Sequence, residues 1–141
     1  MNHSPGQVIA ICDDEWTAHK SDCSAFVRAV ATRLGVTLNG LANDIVDQIR
    51  EPPWQALKDG VAASHAAGEG KFVAGGLKGG DEQAPSEHGH VVVVVAGPLA
   101  HDAYPTAYWG KLGGSGCKKT TVNWAWRAAD RDHVHYACRI V

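Results

Sequence analysis

Apolar positions recur three and four apart in the first half of the chain and cluster or alternate in the second, so the sequence predicts helices first and strands afterwards. Ser4, Pro5 and Gln7 form a capping-box arrangement with proline at the first helical position. Val8, Ile11, Cys12 and Trp16 then fall near one face, leaving Asp13, Asp14 and Glu15 mostly to solvent, and a helix over 4–19 is expected. Asp22 can cap a second helix, in which Phe26, Val27, Val30, Ala31 and Leu34 repeat at helical spacing before Gly35 provides a left-handed stop. Leu41, Ile45 and Ile49 recur every four residues ahead of Pro52 and Pro53, which predicts a third helix over 41–50. The stretch "ALKDGVAASHAAG" after Trp54 suggests a weaker one.

From Lys71 the pattern changes. "KFVAGG" is a short apolar run beside glycines, and "HGHVVVVVAG" is β-branched throughout, the signature of a strand covered on both faces at the centre of a sheet. "TAYWGKLGG" reads as another strand. "TTVNWAWR" fits helix and strand equally, and "DHVHYACRIV" alternates Val134, Tyr136, Cys138 and Ile140 on one face. The expected class is α+β, with N-terminal helices packed on a mostly antiparallel sheet.

Composition narrows the functions available. At 141 residues the chain fits a single domain, 1–141, with a core large enough to do without disulfides. A formal net charge of −2 and the lack of a dense Lys/Arg block argue against nucleic acid as a partner. The longest apolar run is too short to span a bilayer, so no membrane insertion is expected, and "MNHSPGQVIAICDDEW" does not read as a Sec signal peptide. Four irregularly spaced cysteines without a C-x-x-C pair make a zinc finger a poor fit. One disulfide, Cys12 with Cys138, stays open.

Cys23 is the candidate for chemistry. It falls in the first turn of the second helix, where unpaired backbone N–H groups and the positive end of the macrodipole favour a thiolate by about 1 kcal/mol and can also line an oxyanion hole. That is too little to activate a thiol alone, and a neighbouring imidazole supplies the rest. Of eight histidines, His90 is the best placed, being rigid at the first residue of the valine strand and able to face a helix packed on the sheet. His88 shares its parity in a looser loop, whereas His19, His65, His101, His133 and His135 belong on helical or edge surfaces. The plain alternative is that Cys23 is a small core hydrophobe, as free cysteines usually are.

The motif "SDCSAFVRAVATRLGV" resembles the D-C-S-G-F-V segment of NlpC-type cysteine peptidases, papain-like amidases that cut cell-wall peptides. With "NDIVDQI", "KFVAGGLKG", "GHVVVVVAGPL", "YP" and "DRDHVHY" following in order, the chain resembles the family 1 type VI secretion amidase effectors over nearly its whole length. That resemblance implies a papain-like NlpC-type fold, a nucleophile at Cys23, a general base at His90, no cofactor and no metal. It also implies hydrolysis of peptidoglycan stem peptides, at the bond from γ-D-glutamate to meso-diaminopimelate or, as in related effectors, at the diaminopimelate to D-alanine cross-link. The partners implied are a secretion apparatus and a cognate immunity protein, and the place of action is the periplasm of a target bacterium, reached without a Sec signal.

Two departures bear on the chemistry. Ala25 stands where the motif has glycine, and no acid, amide or imidazole near Trp109 offers itself to orient His90; a backbone carbonyl there is one candidate, and the role is left unassigned. Asp22 is expected to cap the helix rather than touch substrate. Competing functions are a non-catalytic wall-binding or immunity-binding module of the same fold, and a redox-sensing thiol protein, which needs a resolving cysteine near Cys23.

Overall fold

The computed structural model describes residues 2–141. The first helix, α1 (Pro5–His19), opens with the expected capping box: the Gln7 backbone N–H donates to Ser4 Oγ at 3.1 Å and the Ser4 N–H to Gln7 Oε1 at 2.7 Å. The next, α2 (Cys23–Arg33), is capped by Asp22, which accepts the Ala25 N–H, and it runs out before Gly35 at φ +77°. The third, α3 (Ala42–Ile49), presents Ile45, Val46 and Ile49 to the core.

The weak-helix segment divides. Gln55–Leu57 forms an edge strand, β1, and only after Asp59 does α4 (Gly60–Gly68) begin. Asp59 accepts the Ala62 N–H and so fixes the start of that helix, a cap signal that the alanine-rich run had hidden. There follow β2 (Phe72–Leu77), β3 (His90–Val94), β4 (Thr106–Trp109), β5 (Cys117–Thr121) and β6 (His135–Arg139). "TTVNWAWR" is neither of the two expected elements as a whole, because Thr120 and Thr121 complete β5 while Val122–Trp124 turn into a short 3-10 helix.

All neighbouring strands pair antiparallel in the order β1-β6-β2-β3-β4-β5, which puts the valine strand at the centre, as expected. Val91 to Val95 are each at most 1% exposed, and their alternation serves two cores. Val91, Val93 and Val95 pack with α1, α2 and α3, whereas Val92 and Val94 pack with α4, Trp109, Val122 and Trp126. Such burial on both faces requires the unbroken apolar run seen in the sequence.

Close backbone contact sets how deeply α3 sits. A Cβ at Gly76 would lie 2.7 Å from Val46 Cγ2, so the glycine on β2 lets the helix approach the sheet. At the far side α1 is tied to β4: the Tyr108 hydroxyl donates to Asp13 at 2.6 Å, and Trp16 Nε1–H donates to the Trp109 carbonyl at 3.1 Å.

The open disulfide is resolved against pairing. Cys12, Cys23, Cys117 and Cys138 are all free, and Cys12 belongs to the helical core while Cys138 lies in the core on the opposite face of the sheet. A bridge demands Cα atoms within about 7 Å of each other with facing side chains, which a sheet between them forbids. Alkylation of unreduced protein in denaturant, followed by intact mass measurement, is expected to label all four thiols, and a product short by two labels would contradict this arrangement.

Candidate active site

Cys23 is the first residue of α2 and only 8% exposed. Asp22 shapes the turn in front of it, accepting the Ala25 N–H at 3.1 Å and the Ser24 hydroxyl at 2.9 Å. Burial works to raise the Asp22 carboxyl, but those two bonds and Arg28 outweigh it and hold the group below the ordinary carboxylate range. A cap that stays ionised keeps the first turn intact.

The turn is also pressed from outside by the end of β4. A Cβ at Gly110 would lie 2.4 Å from the His19 carbonyl oxygen and 2.7 Å from that of Asp22, so only glycine permits this approach. Beyond it, the N–H groups of Lys111 and Gly116 both donate to the Lys20 carbonyl, at 2.9 and 2.8 Å. The loop 110–116 is thereby pinned three residues before the sulfur.

A groove of roughly 460 Å³ opens over the sulfur, lined by residues 22–24, 41–44 and 87–89 and by Leu112. It has carboxylates at Asp22, Asp44 and Glu87 and no lysine or arginine. Leu41 and Leu112 stand at its sides, 57% and 65% exposed.

The Val91 backbone N–H lies near enough to the Cys23 sulfur to draw its pKa down, as do the N–H groups of Ser24 and of Cys23 itself. Burial exceeds these and, with the Asp22 charge, leaves the thiol above its ordinary value. The sulfur therefore rests protonated at neutral pH. A helix start alone does not offset burial of this extent.

His90 immediately precedes Val91, whose N–H reaches the Cys23 sulfur, so the two chosen residues are linked through the backbone of β3, while His90 is not among the residues that line the groove. Its ring is not turned as expected. Strand parity puts it with Val92 and Val94, on the face away from α2, and it packs edge-on against Trp126 at 5.2 Å and Trp109 at 6.4 Å between ring centroids. Burial first, and Lys111 second, pull its pKa down to about 4.

No side chain among the described residues hydrogen-bonds the His90 ring, and of the backbone carbonyls around Trp109 that of Trp109 itself accepts Trp16 Nε1–H. Trp126 Nε1, beside the imidazole, is itself buried without a partner. Sequence patterning missed Trp126, which sits in the stretch of double periodicity, and gave no role to Asn43 in the groove wall. His88 lines the groove, whereas His135 is half-buried on the interior strand β6 instead of at an edge, its pKa lowered by burial and by Arg50. Among the described residues, no cluster of His, Cys, Asp and Glu is arranged to hold a metal.

No protein-family model matches the chain. It is 35% identical to the peptidoglycan amidase Tse1 of Pseudomonas aeruginosa, over 142 aligned positions covering 92% of this chain and 86% of that protein. The chain belongs to the type VI secretion amidase effectors. Membership over this span accounts for the order of motifs from α2 to β6, because the alignment runs through every element that borders the groove. The α+β expectation holds as well.

Two outcomes are expected from this geometry. Gly110→Ala forces the end of β4 off the first turn of α2, so it should lower thermal stability and slow Cys23 alkylation by iodoacetamide together; unchanged alkylation would show that the contact does not place the sulfur. The second concerns pH. His90 is depressed from about 6.5 when unfolded to about 4 when folded, so the native state binds fewer protons between those values, and stability present above pH 6.5 falls as pH drops toward 4, by on the order of 3 kcal/mol. Urea titrations across that window should show a drop that His90→Gln reduces.

Proposed function

We propose that this chain is an antibacterial peptidoglycan amidase in which Cys23 is the nucleophile and His90 the general base. The observation that carries the reading is the groove itself: a sulfur at a helix start forms its floor, beside the backbone of the residue that follows a neutral histidine, in a chain 35% identical to a peptidoglycan amidase. In this reading the His90 ring turns from Trp109 and Trp126 toward the start of α2 and takes the thiol proton as the sulfur attacks an amide carbonyl of the stem peptide, forming the C–S bond. The tetrahedral oxyanion sits against the N–H groups at the start of α2. Collapse breaks the C–N bond as the imidazolium returns the proton to the departing amine, and water, deprotonated by His90, then hydrolyses the thioester and restores the thiol. The depressed histidine supports the return of the proton to the departing amine, because imidazolium formed in a buried site gives it up readily.

The bond we favour is that from γ-D-glutamate to meso-diaminopimelate, with the diaminopimelate to D-alanine cross-link as the second reading. A groove edged by carboxylates and free of cations suits a substrate segment bearing an ammonium group. The reading carries with it delivery by a secretion apparatus to the periplasm of a rival cell and a cognate immunity protein in the producer.

Purified sacculi of diaminopimelate type are the test. Cys23→Ala and His90→Ala are each expected to lower peptide release by at least about 10³-fold with unchanged circular dichroism. Release at the wild-type rate by either variant would remove that residue from the mechanism, and the masses of products from defined muropeptides identify the bond.

A further inference from the structure

The chain reaches His90 through a loop, 78–89, that leaves β2 at Leu77 and enters β3 at the histidine. Both ends of this loop are held by one side chain. Asn43, in the first turn of α3, accepts the Gly79 N–H on Oδ1 at 3.0 Å and donates from Nδ2 to the Glu87 carbonyl at 3.0 Å. Those partners, a donor and an acceptor, fix the orientation of the carboxamide, because the flipped amide would satisfy neither. The same oxygen lies against the residue next to the base: a Cβ at Gly89 would be 2.6 Å from Asn43 Oδ1 and 2.6 Å from the Leu77 carbonyl.

The rest of the loop is braced from within and from the far side. Ser86 donates its N–H to the Gly79 carbonyl at 2.9 Å and its hydroxyl to the His88 carbonyl at 2.8 Å. Asp130, 4% exposed, accepts the Gln83 N–H at 2.8 Å. Lys78 adds an exposed ion pair to Asp47 on α3 at 3.1 Å, but Asn43 is the residue of α3 that lines the groove and bonds both ends of the loop.

We propose that Asn43 is a positioning residue for His90, its carboxamide closing the loop at both ends and so fixing where the strand, and with it the imidazole, begins. The inference rests on the reading of Cys23 and His90 given above. An ångström of displacement at a general base costs on the order of 10- to 100-fold in rate, which is the scale on which a released loop end should be felt.

Asn43→Ala and Asn43→Asp separate the two bonds. The alanine variant loses both; the aspartate keeps an acceptor for Gly79 but turns a carboxylate oxygen toward the Glu87 carbonyl. Expected for N43A is faster hydrogen exchange at the Gly79 amide, a fall in kcat of about 10- to 100-fold with KM within about twofold of wild type, and shifted or broadened His90 ring resonances in a Cys23→Ala background. Expected for N43D is a protected Gly79 amide with a smaller loss of kcat, and this variant carries the test should N43A fail to fold.

A raised KM at unchanged kcat would make Asn43 a substrate contact and overturn the proposal. So would activity lost only in proportion to thermal stability, with the His90 resonances unmoved. If Cys23→Ala or His90→Ala proves active the mechanism falls, yet exchange at Gly79 and the ring resonances still report whether the clamp holds the histidine.

Discussion

Everything in the site depends on a contact between backbones: the end of β4 lies against the carbonyls of His19 and Asp22, at a distance only Gly110 allows. That contact holds the turn ahead of α2 against the end of β4, and α2 in turn packs directly on β3, which places the sulfur beside the Val91 amide. Side chains and further main-chain bonds reinforce the arrangement. Trp16 bonds the carbonyl of Trp109, the Lys20 carbonyl receives two amides from the following loop, and Tyr108 reaches Asp13 across to α1.

The electrostatic consequence is a resting pair without charge. An exposed helix start favours an anion by about 1 kcal/mol, a preference that withdrawal of the sulfur from water exceeds here, while the imidazole loses its proton affinity to the same cause. Each group is held in its uncharged form by burial. In the proposed mechanism, charge separates only as the sulfur attacks a carbonyl, which couples proton transfer to substrate binding.

Much of this was legible in the amino-acid order. Capping residues Ser4 and Asp22, the helical spacing of Phe26 to Leu34 and the run Val91–Val95 each report a local constraint, and each element formed where its pattern placed it. The elements that misled were those decided by partners distant in sequence. Gln55–Leu57 becomes a strand because β6 offers it an edge, and "TTVNWAWR" divides where β5 stops pairing with β4. The candidate site shows the same division. The places of Cys23 at the start of α2 and His90 at the start of β3 follow from their own elements, but the rings around the imidazole do not, since no pattern in "AYWGKLGG" or "NWAWR" marks Trp109 and Trp126 as its neighbours. Asn43 was equally silent, since its two partners lie 36 and 44 residues away.

The loop 110–116 is held to Lys20 entirely through main-chain groups. Leu112, exposed between the fixed glycines Gly110 and Gly116, is consequently free of any duty to the scaffold, whereas the opposite wall relies on the carboxamide of Asn43. One position on this bank of the groove can therefore change without disturbing the other bank, and drift in what the cleft accepts is channelled to Leu112.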